Sequence, residues 1–332
     1  MLKVGIIGTG NMGKAHARGW AHTPAQLVGF CSQDVRGGDV AAQYGVPLLE
    51  MDALLDICDA IDVCAPTHLH SQMVLRAAAE GKHIVCEKPL ARTHAQGVEV
   101  VEACRKAGVW LLVAHVVRFF PEYWRAKQIV EAGEIGNVAV VRLTRASFQP
   151  RPAADNWFLD PEKSGGMILD LMIHDFDYAR WIAGEVTSVF ARSVRGTDPA
   201  APEDYCLALL QHASGAISNI EGGWAYPPPL FRTALEIAGD AGLIEHPAGG
   251  STPIGVHLKH KGGDVGADVG VPGSPLTEDP YTTEIKHFYD VLTGKLPTPR
   301  VTAEDALAAL RIALAAAQSA QTGRAVQIAE VV

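Results

Sequence analysis

The sequence lacks several features that would assign it to common classes. No run of about 18 apolar residues occurs, so no segment reads as a membrane span. No two cysteines form a Cys-x-x-Cys pair; the six, at positions 31, 58, 64, 86, 104 and 206, are scattered. That spacing argues against a zinc site or a disulfide framework. Cys31, Cys64 and Cys86 fall in apolar runs, where a thiol behaves as a small hydrophobe. Reduced thiols in a cytoplasmic protein are therefore expected. Positive charge is also short: the net charge is -9, which does not suit a phosphate-binding face and argues against a nucleic-acid partner. Met1 to Ile7 lead straight into a glycine loop without a small-residue cleavage site, so no secretion signal is expected. There is no internal repeat.

What is present is an ordinary globular composition, 48% hydrophobic over 332 residues. That length exceeds what one core usually serves. The expected division is 1–120, 121–300, and a C-terminal helix and tail, 301–332, packing back on the body. In the first part short apolar runs alternate with helical patterns. Leu2 to Ile7, Leu27 to Cys31, Ala60 to Ala65, His83 to Cys86 and Val109 to Ala114 read as strands. Asn11 to Trp20, Met51 to Ile57, Leu69 to Glu80 and His94 to Ala107 read as helices, with Gly81 and Gly108 as stops. The alternation predicts an α/β fold, a doubly wound parallel sheet covered on both faces.

Beyond residue 136 strands follow one another: Val138 to Ser147, Thr187 to Arg195, Tyr205 to His212, Ala216 to Trp224, Thr233 to Ala238 and Gly242 to His246. A mostly antiparallel sheet is expected, interrupted by a helix from about Leu171 to Ala183 that Gly184 stops. The glycines and prolines from about Pro247 to Pro280 read as an irregular loop. Thr302 and Asp305 resemble a capping box opening an alanine-rich helix to about Ala320.

Gly8-Thr9-Gly10-Asn11-Met12-Gly13 matches G-x-G-x-x-G between a strand and a helix, the context that gives the pattern meaning. The first glycine makes the turn, the second admits a pyrophosphate, and the third lets the helix approach the strand. At the end of the second strand, Ser32, Gln33 and Arg36 face the cofactor choice. Serine there removes a carboxylate that would repel a 2′-phosphate, and Arg36 can pair with one, which favours NADP. Asp34, 21 residues past Gly13, would serve NAD. Both cofactors stay open. Ala65, Thr67, His68 and His70 follow the third strand and read as a loop over the nicotinamide ribose, with Thr67 capping the next helix. No carboxylate or cysteine stands at ligand spacing from these histidines, so no metal is expected.

Lys88 lies in Cys86-Glu87-Lys88-Pro89, at the end of the fourth strand, with Glu87 as candidate partner. Asp170, His174 and Asp177 stand at i, i+4 and i+7, one face of a helix. An aspartate one turn before a histidine can hold its tautomer for acid–base work, with Asp177 in support. The paired glycines Gly165 and Gly166 suggest close backbone approach where this helix begins.

With the glycine loop, the Glu-Lys-Pro triplet, His115 to Pro121, and Gly-Gly followed by Asp-x-x-x-His-x-x-Asp in order, the chain resembles the glucose–fructose oxidoreductase / inositol dehydrogenase / rhizopine-catabolism family. The run Leu171 to Arg180 is similar to that of inositol 2-dehydrogenases. The resemblance implies a Rossmann domain joined to an α+β domain whose large, open sheet makes a homodimer or homotetramer contact. It implies Lys88, Asp170 and His174 as catalytic residues, with either His174 or Lys88 as the immediate base, and Glu87 and Lys88 beside the cofactor. The implied activity is NAD(P)-dependent hydride transfer at a secondary hydroxyl or carbonyl of a sugar, inositol or related polyol. Arg118, Asn156, Trp157 and Tyr281 are candidate substrate or cofactor contacts. Two alternatives stand beside this reading: a non-catalytic NAD(P)-binding regulator, and a lyase or hydrolase that uses tightly held NAD transiently.

Overall fold

The structure, a computed structural model, describes residues 1–150, 157–195, 204–246 and 278–332. The chain divides into two compact units: Met1–Phe120 with Gly273–Leu310, and Pro121–Pro272 with Arg311–Val332. The first division falls after residue 120. The segment before residue 300, expected in the second domain, instead belongs to the first unit, and the C-terminal helix is shared between the two.

In the first unit the order is β1 (Lys3–Ile7), α1 (Asn11–Ala21), β2 (Gln26–Cys31), α2 (Gly37–Gln43), α3 (Met51–Ile57), β3 (Ala60–Val63), α4 (Thr67–Ala79), β4 (His83–Glu87), α5 (His94–Ala107) and β5 (Leu111–Ala114). The strands are short and apolar because helices cover both faces of the sheet. Alternate residues serve opposite cores: Ile84, Leu111 and Val113 pack with Leu54, Ile61 and Val74, while Val85 and Leu112 pack with Trp20 and Phe30. All pairings are parallel, in the order β2-β1-β3-β4-β5. Beyond β2 a single residue continues the sheet. Leu48 bridges Phe30 in parallel, with Phe30 N–H donating to Pro47 O (3.0 Å) and Leu49 N–H to Phe30 O (2.7 Å). Growth of the sheet reverses between β1 and β3, and in doubly wound sheets the crevice beyond the carboxyl ends at that point receives ligands.

In the second unit α6 (Pro121–Glu131) and β6 (Val138–Ala146) are followed by α7 (Pro161–Ser164), α8 (Gly166–Asp170), α9 (Ile173–Ala183), β7 (Val186–Val194), β8 (Tyr205–His212), β9 (Ile217–Gly223), β10 (Arg232–Gly239) and β11 (Leu243–His246). The chain then returns to the first unit as α10 (Pro280–Leu292). It ends with α11 (Ala303–Thr322) and β12 (Val326–Gln327). Among the described residues the second sheet runs β11-β10-β6-β9-β8-β7-β12 and is antiparallel except for β6–β9. α9 packs on β6 and β9. It is tied down by a bidentate ion pair: Arg145 Nε donates to Asp175 Oδ2 (2.8 Å) and Nη2 to Oδ1 (3.1 Å), both side chains buried. Removing one partner of such a pair costs about 3–5 kcal/mol, because the other charge is left buried alone. Tyr178 adds an edge-on contact with Tyr123 on α6 and donates its hydroxyl to Tyr123 O (2.9 Å). No helix among the described residues is long and apolar enough to cross a membrane.

Three local expectations are corrected. Asp170 and His174 do not share one helix: α8 ends at Asp170 and α9 begins at Ile173. The amides of Leu171 and Met172 both bond back to Met167 O (2.9 and 3.3 Å), closing a widened turn, and buried Met172 fills the space above Gly222. Gly165 and Gly166 are needed for conformation, at φ +86° and +72°; a Cβ on Gly166 would meet nothing within 4 Å, so close backbone approach is not the reason for it. Thr67 does not cap α4; Pro66 occupies the cap position, without a side-chain bond. The capping box on α11 does form: Asp305 N–H donates to Thr302 Oγ1 (3.0 Å) and Thr302 N–H to Asp305 Oδ2 (3.1 Å). α10 had no counterpart in the periodicity reading. The loop expected from Pro247 to Pro280 lies almost entirely outside the described residues.

Candidate functional site

The glycine loop shows why each glycine stands where it does. Gly8 has φ +100°, and a Cβ there would meet Cys64 O at 2.4 Å. A Cβ on Gly13 would meet Gly8 O at 2.1 Å, so this glycine lets α1 approach the strand. A Cβ on Gly10 would meet nothing within 4 Å: the space beside it is open. Gly10 is the cap residue of α1 without a side-chain bond, and no acidic residue lies in the first turn. Asn11, Met12 and Gly13 open the helix, where amides have no intrahelical acceptor and the dipole is positive. An open surface beside uncapped amides fits the pyrophosphate of a dinucleotide.

Ser32 continues from this loop. It lies just beyond β2, and its hydroxyl pairs with Thr9 Oγ1 (2.7 Å) and accepts from Asp34 N–H (3.1 Å). Gln33 and Arg36 are exposed. Arg36 N–H donates to Asp34 Oδ1 (2.8 Å), and its guanidinium lies 3.9 Å from the same carboxylate.

The turn after β4 carries Lys88, half-buried. His70 braces it from α4: its ring nitrogens lie 2.8 Å from Pro89 O and from Ala65 O, joining this turn to the loop after β3. Burial pushes the His70 imidazole below its usual pKa, against the pull of those two carbonyls. Ala65 is half-buried, Thr67 buried and His68 exposed. Glu87 is turned inward. Its Oε2 accepts from Lys88 N–H (3.1 Å), and its Oε1 lies 3.1 Å from His16 Nε2.

His16 opens a buried polar cluster that periodicity and motif reading passed over. Its Nδ1 bonds Asp62 (2.9 and 3.0 Å), which also accepts from Trp20 Nε1 (2.7 Å) and from the Cys64 thiol (3.4 Å). Burial alone would lower the His16 pKa; Asp62 and Cys64 together outweigh it and raise it well above its usual range. The Glu87 carboxyl is penalised by burial, but His16 carries it below its ordinary value. His16, Asp62 and Cys64 offer ligand atoms within 4.8 Å of one another, a spacing open to a metal, yet both imidazole nitrogens are already committed to carboxylates. Glu284, on α10, completes the cluster: among the described residues neither carboxyl oxygen has a hydrogen-bond partner, and burial, with Glu87 and Asp62 nearby, pushes its pKa well up. One signal was available in the sequence. Asp62 is the sole charge in an otherwise apolar central strand, and a buried carboxylate demands a partner.

In the second unit Asp170 is buried at the end of α8, and His174 is half-buried in the first turn of α9. Asp177 is fully buried on the same helix. Trp157 is half-buried with its ring stacked on Phe158, centroids 4.0 Å apart. Asn156 lies outside the described residues. Tyr281 is buried on α10. Arg118, expected to contact ligand, is buried and donates from Nη1 to Arg300 O (2.9 Å) and Asp305 Oδ2 (3.1 Å). These bonds tie the segment after β5 to the start of α11.

A glycine-looped, doubly wound sheet with an open helix N-terminus defines a dinucleotide-binding protein, here with a second unit built on a mixed, mostly antiparallel sheet. The chain belongs to the GFO/IDH/MocA oxidoreductase family. Residues 2–115 match its "Oxidoreductase family, NAD-binding Rossmann fold" and residues 123–245 its "GFO/IDH/MocA C-terminal domain". An uncharacterized oxidoreductase, YrbE, of Bacillus subtilis is 33% identical, with 98% of this chain and 96% of the relative covered. The myo-inositol 2-dehydrogenase of Thermotoga maritima is 31% identical with both chains covered in full. A solved structure of a probable dehydrogenase from Thermotoga maritima superposes with TM-score 0.82 at 30% identity, with complete coverage of both chains.

Two predictions follow from this geometry. Gly10→Val adds a side chain where space is open and φ is -68°. It should leave the melting temperature nearly unchanged while abolishing NADH binding in a fluorescence titration. Gly13→Ala, blocked by Gly8 O, should lower the melting temperature as well. The second concerns Glu284. Its carboxyl holds its proton when folded and releases it near pH 4.3 when unfolded. The folded state then binds more protons, so this group's contribution falls as pH rises above about 4.3, by up to about 1.4 kcal/mol per pH unit. Urea unfolding of Glu284→Gln against the unmodified chain should show the variant gaining in relative stability from pH 4 to pH 7; a constant difference refutes a protonated Glu284.

Proposed function

We propose that this oxidoreductase transfers a hydride between NAD(P) and a secondary hydroxyl or carbonyl of a sugar, inositol or related polyol. The observation that carries the reading is the shared edge of one sheet. The glycine loop follows β1 and Lys88 follows β4, both at the carboxyl ends of parallel strands, where such sheets receive ligands. End-to-end similarity to a myo-inositol 2-dehydrogenase supports the substrate class.

Gly8, Gly10 and Gly13, with the first-turn amides of α1, would hold the cofactor's pyrophosphate, and Ser32, Gln33 and Arg36 would meet the adenosine ribose. Bound nicotinamide supplies the hydride acceptor or donor. Lys88 hydrogen-bonds the reacting oxygen and stabilises negative charge developing there. His174 takes or returns the hydroxyl proton, a task suited to imidazole near neutral pH. Asp170 supports the imidazolium electrostatically. Ser32 in place of a carboxylate favours NADP, and exposed Asp34 favours NAD.

The test is a titration with NADH and NADPH, followed by turnover assays against a panel of inositols and aldoses. Turnover with one of them is expected, with Lys88→Ala and His174→Ala each lowering kcat by about 10²–10⁴-fold and leaving cofactor Kd within a few fold. Tight cofactor binding without turnover in bulk would favour a regulator or an internal-redox lyase. Absence of binding to either dinucleotide refutes the reading.

We also infer a homo-oligomer formed through the second sheet. Its outer face shows Phe190 and Val194 on β7, Leu207 and Leu209 on β8, and Ile217 on β9, all exposed. Phe190 stands directly opposite Leu209 in the register, with Leu207 two residues along β8 on the same face, so these three form a contiguous apolar patch. Contiguous exposed apolar surface marks an interface. Light scattering should show a dimer or tetramer that Leu209→Glu dissociates; a monomeric unmodified chain refutes it.

A further inference from the structure

A buried polar chain in the first unit ends at the residue on which the proposed chemistry depends. Asp62 lies in the central strand β3, and two groups besides His16 hold it: the Trp20 indole N–H (2.7 Å) and the Cys64 thiol (3.4 Å). It bonds His16 Nδ1, and His16 Nε2 reaches Glu87 Oε1 on β4. The other oxygen of Glu87 accepts the main-chain N–H of Lys88. The side chains of Asp62, His16 and Glu87 are all buried. An anchored aspartate, an imidazole with both nitrogens engaged and a carboxylate with both oxygens engaged leave little freedom to the peptide that carries Lys88.

We propose that His16 is a positioning residue for Lys88, acting through Glu87 to fix the main chain from which the lysine reaches the reacting oxygen. The proposal rests on the reading that Lys88 touches that oxygen. It assigns a task to a histidine three residues beyond the glycine motif. His16 also faces Glu284, from α10, and Cys64. Among the described residues Glu284 makes no hydrogen bond, and Cys64 bonds Asp62 and His16, so neither is the link from His16 to Lys88 that Glu87 supplies. Hydrogen-bonded supports of this kind matter because a displacement of about 1 Å in a catalytic group can cost about 10²-fold in rate.

Two substitutions separate positioning from packing. The amide of His16→Asn stands near the Nδ1 position and keeps the Asp62 bond while losing the Glu87 bond. The amide of His16→Gln stands near Nε2 and keeps the Glu87 bond. Two readouts apply. One is kcat and KM with the substrate found in the panel. The other needs no substrate: the NMR signal of ¹³C-methylated Lys88, assigned by its loss in Lys88→Arg. The expected result is that His16→Asn lowers kcat about ten-fold or more, with NADH Kd within about three-fold, and shifts the Lys88 signal. His16→Gln should stay within about three-fold of the unmodified enzyme on every measure. Equal losses in both variants, or an unmoved Lys88 signal in His16→Asn, overturn the proposal. If His16→Asn fails to fold by circular dichroism, Glu87→Gln takes its place, with the same kcat loss and signal shift expected and an unmoved signal overturning. Lys88→Ala with undiminished turnover would overturn the reading of Lys88 itself, and is distinct from loss of the positioning effect in an enzyme that needs Lys88.

Discussion

Two carbonyl oxygens set the geometry of the first unit. Gly8 O stands 2.1 Å from where a side chain on Gly13 would begin, and Cys64 O stands 2.4 Å from where one on Gly8 would begin. Only hydrogen fits at either place. That closeness brings α1 down onto the sheet, with its uncapped amides at the carboxyl edge. The same approach carries His16, one turn into the helix, to Asp62 on β3 and Glu87 on β4. The phosphate-binding surface and the buried polar cluster are two consequences of one contact.

Buried charge is handled differently in the two units. In the second, Arg145 and Asp175 form a closed bidentate pair that fastens α9 to β6. In the first, His16 bonds two carboxylates, while burial pushes the pKa of nearby Glu284 well up. Burying groups of this kind is costly in apolar surroundings. Here the bonded groups end at the main chain of the Lys88 turn.

Much of the architecture was readable in the residues because it rests on local rules. His94–Ala107, bounded by Thr93 and left-handed Gly108, was legible in full, as were Met51–Ile57 and Tyr205–His212. The parallel strands stood out as apolar runs, and Gly8, Gly10 and Gly13 each have the surroundings their spacing implied. α10 was missed because Asp279-Pro280 looks like the end of a loop, whereas proline here occupies the first turn of a helix. The Asp170–His174 spacing suggested one helical face, but the i, i+4 rule presumes an unbroken helix. The turn at Leu171–Met172 breaks it.

The sequence by itself determined the class: the order of strands and helices, the glycine loop and the residue types able to move a proton are all encoded at short range, in periodicity and in adjacent positions. The tertiary structure alone decided which polar groups became partners. His16, Asp62, Glu87 and Glu284 are separated by up to hundreds of residues, and no pattern of spacing announces them. Only packing around the sheet brings them together, because burial removes water and leaves each charge to find its partner within the protein. Packing likewise gave Arg118 its bond to Asp305 and Asp175 its pair with Arg145.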